Sequence, residues 1–370
     1  MTEIAQPPLP PTALATSEHV ARFKRSAEFV VMPAAAILLS AVLFSIFLLI
    51  LGKSPVQFFE LLWRGGFGTW FSWQNTLVRA SPLMLTALCV AIPARLGMVV
   101  IGGEGALIMG GFGAAVIAIP LIPWAPTSLV LGAMVIASVL AGGLWIGIVG
   151  AIRHYRGVNE TISSLLLFYI AVSILNFFVE GALRDPSDPN KPSTMPIGRE
   201  NMIGNIPGTD VHWGLVFGIL LCIVLYFVMN RTTFGFAARV TGGNLRAAQA
   251  QGLPVGKLIL ISCVIAGAAA GLAGFFEIAA IHGKANASLI AGYGFTGILV
   301  SFLARHNPLV IIPVAIFLGG IAASGGLIQR RMDLPDATVL VLQGLLFVIL
   351  LVSETLYGRF AIFRLKEATS

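Results

Sequence analysis

Long apolar runs without charged residues alternate along this chain with short polar segments. A helix that crosses a lipid bilayer needs about 20 consecutive, mostly apolar residues. Runs close to this length cover residues 29–51, 81–101, 161–179, 211–230, 258–276, 285–304, 306–329 and 337–353, and the longer run 105–152 holds two more, separated by a proline cluster. The pattern predicts an all-α polytopic membrane protein with about ten transmembrane helices.

The polar residues divide the chain around these helices. We expect a cytoplasmic segment at 1–28, a membrane domain at 29–353 and a cytoplasmic tail at 354–370. Within the domain, the connection 231–257 carries four positive residues and no acidic one, which predicts a cytoplasmic location because positive connections stay on that side. The proline-rich connection 181–210 then lies outside. The tryptophan-rich stretch 61–78 is expected to form a helix on the outer surface.

The composition supports this assignment and excludes other classes of protein. Of 370 residues, 57% are hydrophobic and 11% charged, whereas soluble domains carry about 25% charged residues. A soluble enzyme, a disordered protein and a secreted disulfide scaffold are therefore excluded. The net charge of +7 follows from positive cytoplasmic connections and does not indicate nucleic-acid binding. The scarcity of charge within the spans predicts a path for neutral, polar cargo.

The connection 231–257 has the sequence of a short capped helix. Asn244 suits the N-cap, the residues after it are mostly strong helix formers, and Gly252 and Pro254 end the helix. The alanines Ala247, Ala248 and Ala250 would let this helix enter a groove on another protein closely. The alternative is a surface turn between spans, although bundle connections usually need only about 2–8 residues. We therefore expect a docking element.

Three segments resemble one family of proteins. The residues Gly235, Arg239, Gly242, Asn244, Ala247, Ala248 and Gly252 resemble the cytoplasmic coupling loop of bacterial ABC-importer permeases for branched-chain amino acids, simple sugars and nucleosides. The segment 85–105 resembles the junction of two spans in the same family, and 156–169 resembles its sugar and nucleoside branch.

The resemblance implies a type II ABC-importer-like bundle in a bacterial plasma (inner) membrane. Such permeases pair with a second, identical or different permease subunit, bind a cytoplasmic ATPase through the coupling loop, and receive nucleosides or sugars from an external binding protein. The chain has no G-x4-G-K-[ST] phosphate loop, so a partner would bind ATP. We expect no catalytic site, cofactor or metal in this chain.

Two other functions remain open from the residues alone. An ion-coupled secondary transporter would need ionisable residues in the middle of its spans, and the predicted spans hold almost none. A membrane-embedded enzyme would need a metal site or an acid/base constellation, and the chain has five scattered histidines and no H-E-x-x-H motif.

A small number of polar and aromatic residues are candidates for gating or cargo contact. Arg95 and Glu104 flank the junction at 97–103, where they could form a salt bridge that braces a gate, or each could reach the membrane interface separately. Tyr169, Asn176, Tyr293 and Phe295 could contact cargo or could simply pack between helices. The connection 181–210 is either a landing surface for the binding protein or a solvated connector.

Overall fold

Apolar helices of membrane-spanning length make up most of the structure, a computed structural model that describes residues 31, 33–188 and 190–356. The helices are α1 (Pro33–Ile50), α2 (Pro55–Gly66), α3 (Trp70–Ala94), α4 (Gly103–Leu121), α5 (Thr127–Arg156), α6 (Glu160–Glu180), α7 (Gly214–Arg231), α8 (Thr233–Gly243), α9 (Leu245–Ala250), α10 (Val255–Phe276), α11 (Tyr293–Leu303), α12 (Pro308–Met332) and α13 (Ala337–Leu356). The chain divides into two compact units, residues 57–336 and residues 1–56 with 337–370.

The prediction of an all-α polytopic membrane protein is confirmed. Among the described residues, eight helices are long and apolar enough to cross a bilayer, and two shorter apolar helices cover Ala287–Leu303 and Ala337–Ser353. These ten correspond to the ten predicted spans. The predicted segment 1–28 and most of the tail 354–370 lie outside the described residues.

The second span begins earlier than predicted, and the expected surface helix at 61–78 is wrong. Helix α2 ends at Gly66 and α3 begins at Trp70. The chain restarts there because the Thr69 side chain accepts a hydrogen bond from the Ser72 amide, an N-cap that begins a new helix. The first turns of α3 therefore belong to the membrane span, and they bring Arg79 into it.

The centre of residues 57–336 is built from α3, α4 and α10, the most buried of its spans. Glycines let α5 and α4 approach α10 at backbone distance. A methyl group on Gly142 of α5 would overlap the backbone of Gly267 and Gly271, and one on Gly110 of α4 would also overlap Gly271. Close approach through small residues is the usual way in which membrane helices associate.

The predicted span 285–304 is interrupted. The chain makes a short 3-10 turn at Ala287–Leu289, takes a positive φ of 78° at Gly292, and begins α11 at Tyr293. Helix α11 has 11 residues, a length of about 16 Å, or roughly half of the 30 Å hydrocarbon core. Its first turn needs partners for its free backbone amides.

Candidate functional site

The connection 231–257, called the coupling segment below, folds into two short helices joined by Asn244. The Thr232 hydroxyl caps α8 by accepting from the Gly235 amide at 3.4 Å. The Asn244 side chain caps α9 by accepting from the Ala247 amide at 3.0 Å. Gly252 follows α9 with a φ of 78°, a backbone conformation that favours glycine. The helix expected at 245–251 is present at Leu245–Ala250.

The coupling segment is anchored to the end of α7. The Arg239 guanidinium donates to the Met229 carbonyl and to Asn230 Oδ1, the latter at 3.4 Å. A methyl group on Gly235 would collide with the Met229 backbone. These contacts explain why a glycine and an arginine stand at those two positions.

The coupling segment also lies against the turn that ends α3. A methyl group on Gly242 would collide with the carbonyl oxygen of Arg95, whereas Gly243 next to it faces open space. Helix α8 is therefore in direct contact with the end of a central span.

Of the three alanines expected to face another protein, only two are on the exposed face of the coupling segment. Ala247 and Ala250 are exposed, but Ala248 is fully buried inside the chain. Ala248 lies on the face of α9 turned toward its own chain, so it is not available to another protein. The large apolar residues that the segment exposes are Phe236 and Leu245, which are 61% and 42% exposed.

The predicted salt bridge between Arg95 and Glu104 is absent. Arg95 Nη2 donates to the His306 carbonyl at 3.2 Å. The Glu104 carboxylate accepts from the amides of Gly292, at 2.7 Å, and Gly294. Of the two alternatives for this pair, the salt bridge is the one the structure contradicts. Helix α4 begins beside α11, where free helix amides are the partners of the buried Glu104 carboxylate.

Glu104 therefore acts as the N-terminal cap of α11 from another helix. Its side chain is completely buried, and the positive end of the helix dipole favours a negative charge there. The Thr86 hydroxyl of α3 donates to the Tyr293 carbonyl at 3.0 Å, so α3 also holds this junction. Sequence reasoning missed the arrangement, although the glycines at 292, 294 and 297 were a signal that the span is interrupted.

The turn between α11 and α12 completes the contacts of Arg95. Arg305 and His306 both take positive φ values, 48° and 56°, and the His306 ring lies 2.9 Å from the Ser301 hydroxyl. Burial, together with the nearby Arg95 charge, lowers the pKa of His306 to about 4. The ring is therefore neutral at pH 7 and can share a hydrogen bond with Ser301.

The four candidate cargo residues lie on two helices, and the Phe168 ring contacts one member of each pair, Tyr169 and Phe295. Tyr293 and Phe295 lie on α11, and the Phe295 ring packs edge-on against Phe168 at 5.1 Å between centroids. Tyr169 is 59% exposed, and Asn176, seven residues later, lies on the same face of α6. The structure thus places two candidates at the interrupted span and two on an outward helix face.

The connection 181–210 is tied to the segment that follows α10. Lys284 forms an ion pair with Asp188 at 3.2 Å, and the Thr194 amide donates to the Ala285 carbonyl at 2.9 Å. Two hydrogen bonds from Ser187 lower the pKa of Asp185. The connection is therefore fixed to the segment after α10 by an ion pair and hydrogen bonds.

The described spans hold few ionisable residues, and these lie toward their ends or next to them. Arg79 lies within α3 and Glu104 within α4. Glu277 directly follows α10, buried, with an oxygen 3.3 Å from His282. Arg79 escaped notice because the span was expected to begin at residue 81. Within the described residues, no group of three His, Cys, Asp or Glu side chains could hold a metal ion.

Known proteins of similar sequence include several ABC transporter permeases. The chain is 29% identical to a glucose ABC transporter permease protein of Haloferax volcanii, over 87% of each chain. It is 29% identical to a guanosine ABC transporter permease protein of Bacillus subtilis, over 91% of this chain and 96% of that one. A nucleoside ABC transporter permease protein of Lactococcus lactis shares 26% identity over 78% and 81%.

The family described as "Branched-chain amino acid transport system / permease component" matches residues 72–351. This range covers most of the chain and includes all but the first two residues of α3, the interrupted span and the whole coupling segment. The protein therefore belongs to this family of transport-system permeases.

Proposed function

We propose that this chain is the membrane permease subunit of an ATP-driven ABC importer that carries nucleosides or simple sugars. The observation that carries the proposal is the coupling segment, a pair of capped helices whose Gly242 contacts the end of α3. A partner ATPase that moves this segment would move a central span. The cargo class is supported by the names of the relatives, which are glucose, guanosine and nucleoside ABC transporter permeases.

The proposal assigns each partner a place. The cytoplasmic ATPase, which binds the ATP, docks on the coupling segment through Phe236 and Leu245, and both chain ends lie on that side of the plasma membrane. The binding protein docks on the connection 181–210. A second permease subunit, identical or different, completes the path through the bilayer.

An ion-driven mechanism has less support. The buried carboxylates of the described spans already have partners. Glu104 accepts from two backbone amides, Glu160 forms an ion pair with Arg153, and Glu277 is beside His282. A carboxylate that binds and releases a coupling ion would need to be free of such fixed partners in one state.

Reconstitution tests the proposal. The chain, its ATPase, the second permease and the binding protein are placed in proteoliposomes, and uptake of guanosine, glucose and leucine is measured. We expect ATP-dependent uptake of guanosine or glucose. Uptake without ATP, or of leucine alone, would contradict the proposal.

A matched pair of variants tests the docking face. Leu245→Asp places a charge on the exposed face of α9, and we expect it to remove the ATPase from the purified complex. Met195→Asp changes an equally exposed apolar residue, 47% exposed, in the connection 181–210, and we expect it to retain the ATPase. Equal retention by both variants would refute the assignment of the docking face.

A further inference from the structure

A cavity of about 440 Å³ lies between α2, the start of α3 and the end of α12. Its polar lining consists of Arg64, Thr69, Ser72, Asn75, Arg79 and Arg330. The volume falls within the range of small-molecule sites, about 300–1,000 Å³. Because α3 contacts the coupling segment at its other end, the cavity is at the end of α3 remote from that segment.

Arg79 carries a positive charge inside the membrane span α3. It follows Trp70, the first residue of α3, by nine residues, or about 13 Å along the helix axis. Its side chain is exposed, and none of the ion pairs among the described residues includes it. A guanidinium at this depth is costly against lipid. This face of α3 must therefore meet water or another protein.

The polar residues of α3 continue from the cavity toward the interrupted span. Ser72, Asn75 and Arg79 are spaced three and four residues apart, which places them on one face of the helix. Thr86, seven residues beyond Arg79, lies on the same face and donates to the Tyr293 carbonyl. The stripe thus leads to the start of α11. Interrupted helices border the solute sites of many transporters.

The chemistry of the lining indicates what the cavity would take. Three arginines and no carboxylate line it. A guanidinium presents a planar fork of donors that suits two adjacent acceptor atoms, as in a carboxylate or the O6/N7 edge of an oxopurine. The depth of Arg79 favours a small solute over a side chain of the binding protein.

We propose that this cavity is the entry vestibule of the solute path, and that its arginines bind a paired-acceptor edge of the solute. The inference rests on the proposed importer function and adds a site and a recognition chemistry to it. An oxopurine nucleoside and a sugar acid both carry such an edge, and the experiments below distinguish them.

Charge-selective labelling tests the cavity without transport. The Asn75→Cys variant of the assembled complex is treated with an anionic and a cationic methanethiosulfonate reagent of similar size. The native cysteines Cys89, Cys222 and Cys263 are buried, so the wild type gives the background. We expect the anionic reagent to react faster, and adding Arg79→Gln to reduce that preference about fivefold. Adding Arg331→Gln, a neighbouring arginine outside the cavity lining, is the matched control and should leave the preference unchanged.

Two labelling outcomes would overturn the inference. Equal rates for both reagents would show that the arginines do not set the potential of the cavity. Protection of the Asn75→Cys variant in the assembled complex, with labelling only of the separated permease, would show that the face is an interface between subunits.

An uptake assay then identifies which pair of acceptor atoms on the solute the arginines bind. We expect Arg79→Lys to keep the preference for the anionic reagent but to lower uptake of guanosine relative to adenosine about tenfold, because lysine lacks the fork. If glucuronate uptake falls instead, the edge is a carboxylate. If neither ratio changes while the wild type transports, the recognition chemistry is wrong. If the wild type transports glucose but none of these solutes, the recognition chemistry is wrong and the proposed function stands. If it transports neither these solutes nor glucose, the proposed function fails, and the labelling still reports on the cavity.

Discussion

Replacing Glu104 with glutamine tests whether a carboxylate from α4 holds the interrupted span. In the structure each carboxylate oxygen faces one backbone amide, Gly292 or Gly294. Glutamine has the same shape but offers only one oxygen, and its amide group would point a donor at another donor. One of the two amides at the start of α11 would lose its partner inside the protein.

The expected loss follows from these contacts. A hydrogen bond to a charged group contributes about 1.5–3 kcal/mol, and the carboxylate at a helix N-terminus adds about 0.3–1 kcal/mol, up to about 2 kcal/mol when partly buried. Allowing for the neutral hydrogen bond that remains, we expect opening of this junction to become easier by about 2–4 kcal/mol. A difference of that size makes the open state about 30- to 1,000-fold more populated.

Hydrogen exchange measures this opening directly. We expect peptides that contain residues 290–297 to exchange about 30- to 1,000-fold faster in Glu104→Gln than in the wild type. Glu180→Gln, at an exposed position at the end of α6, is the matched control and should exchange like the wild type. An exchange rate in Glu104→Gln within twofold of this control would refute the capping role.

Three further changes probe the coupling segment and its neighbours. Gly242→Ala should lower the thermal denaturation midpoint of the detergent-solubilised complex and its transport-coupled ATP hydrolysis, because the added methyl group has no room, whereas Gly243→Ala, which faces open space, should change neither. Asn244→Ala should destabilise α9 by about 1 kcal/mol, seen as faster amide exchange in residues 245–250, and Asn244→Asp should restore the wild-type rate; equal exchange in both variants would exclude a cap. Because the folded pKa of His306 is lowered to about 4 from 6.5, the stability that depends on the neutral ring is complete above pH 6.5 and is lost as the pH falls toward 4. The denaturation midpoint should therefore fall between pH 7 and pH 5 in the wild type and fall less in His306→Gln; equal slopes would count against this assignment.

Local features of the coupling segment were predictable because they depend on neighbouring residues. The cap at Asn244, the helix after it and the turn at Gly252 all follow from rules that act over a few positions. The direction in which Ala248 points was not predictable, because it depends on which side of a very short helix meets its own chain. Span number was predictable for a similar reason, since length and polarity alone decide it.

The tertiary partners of the charged residues could not be predicted from the sequence. Arg95 and Glu104 are close along the chain and of opposite sign, so pairing was a reasonable hypothesis. Glu104 instead contacts a segment almost 190 residues later, a separation of 188 to Gly292. Arg79 was missed because it falls between the tryptophan-rich stretch 61–78, expected to lie on the surface, and the span expected to begin at residue 81.

The glycine contacts between α5, α10 and α4 have a mechanical consequence. Backbones in direct contact cannot slide without collision, because there is no side chain between them that could change its rotamer. We therefore expect these three helices to move as one body in any transport cycle.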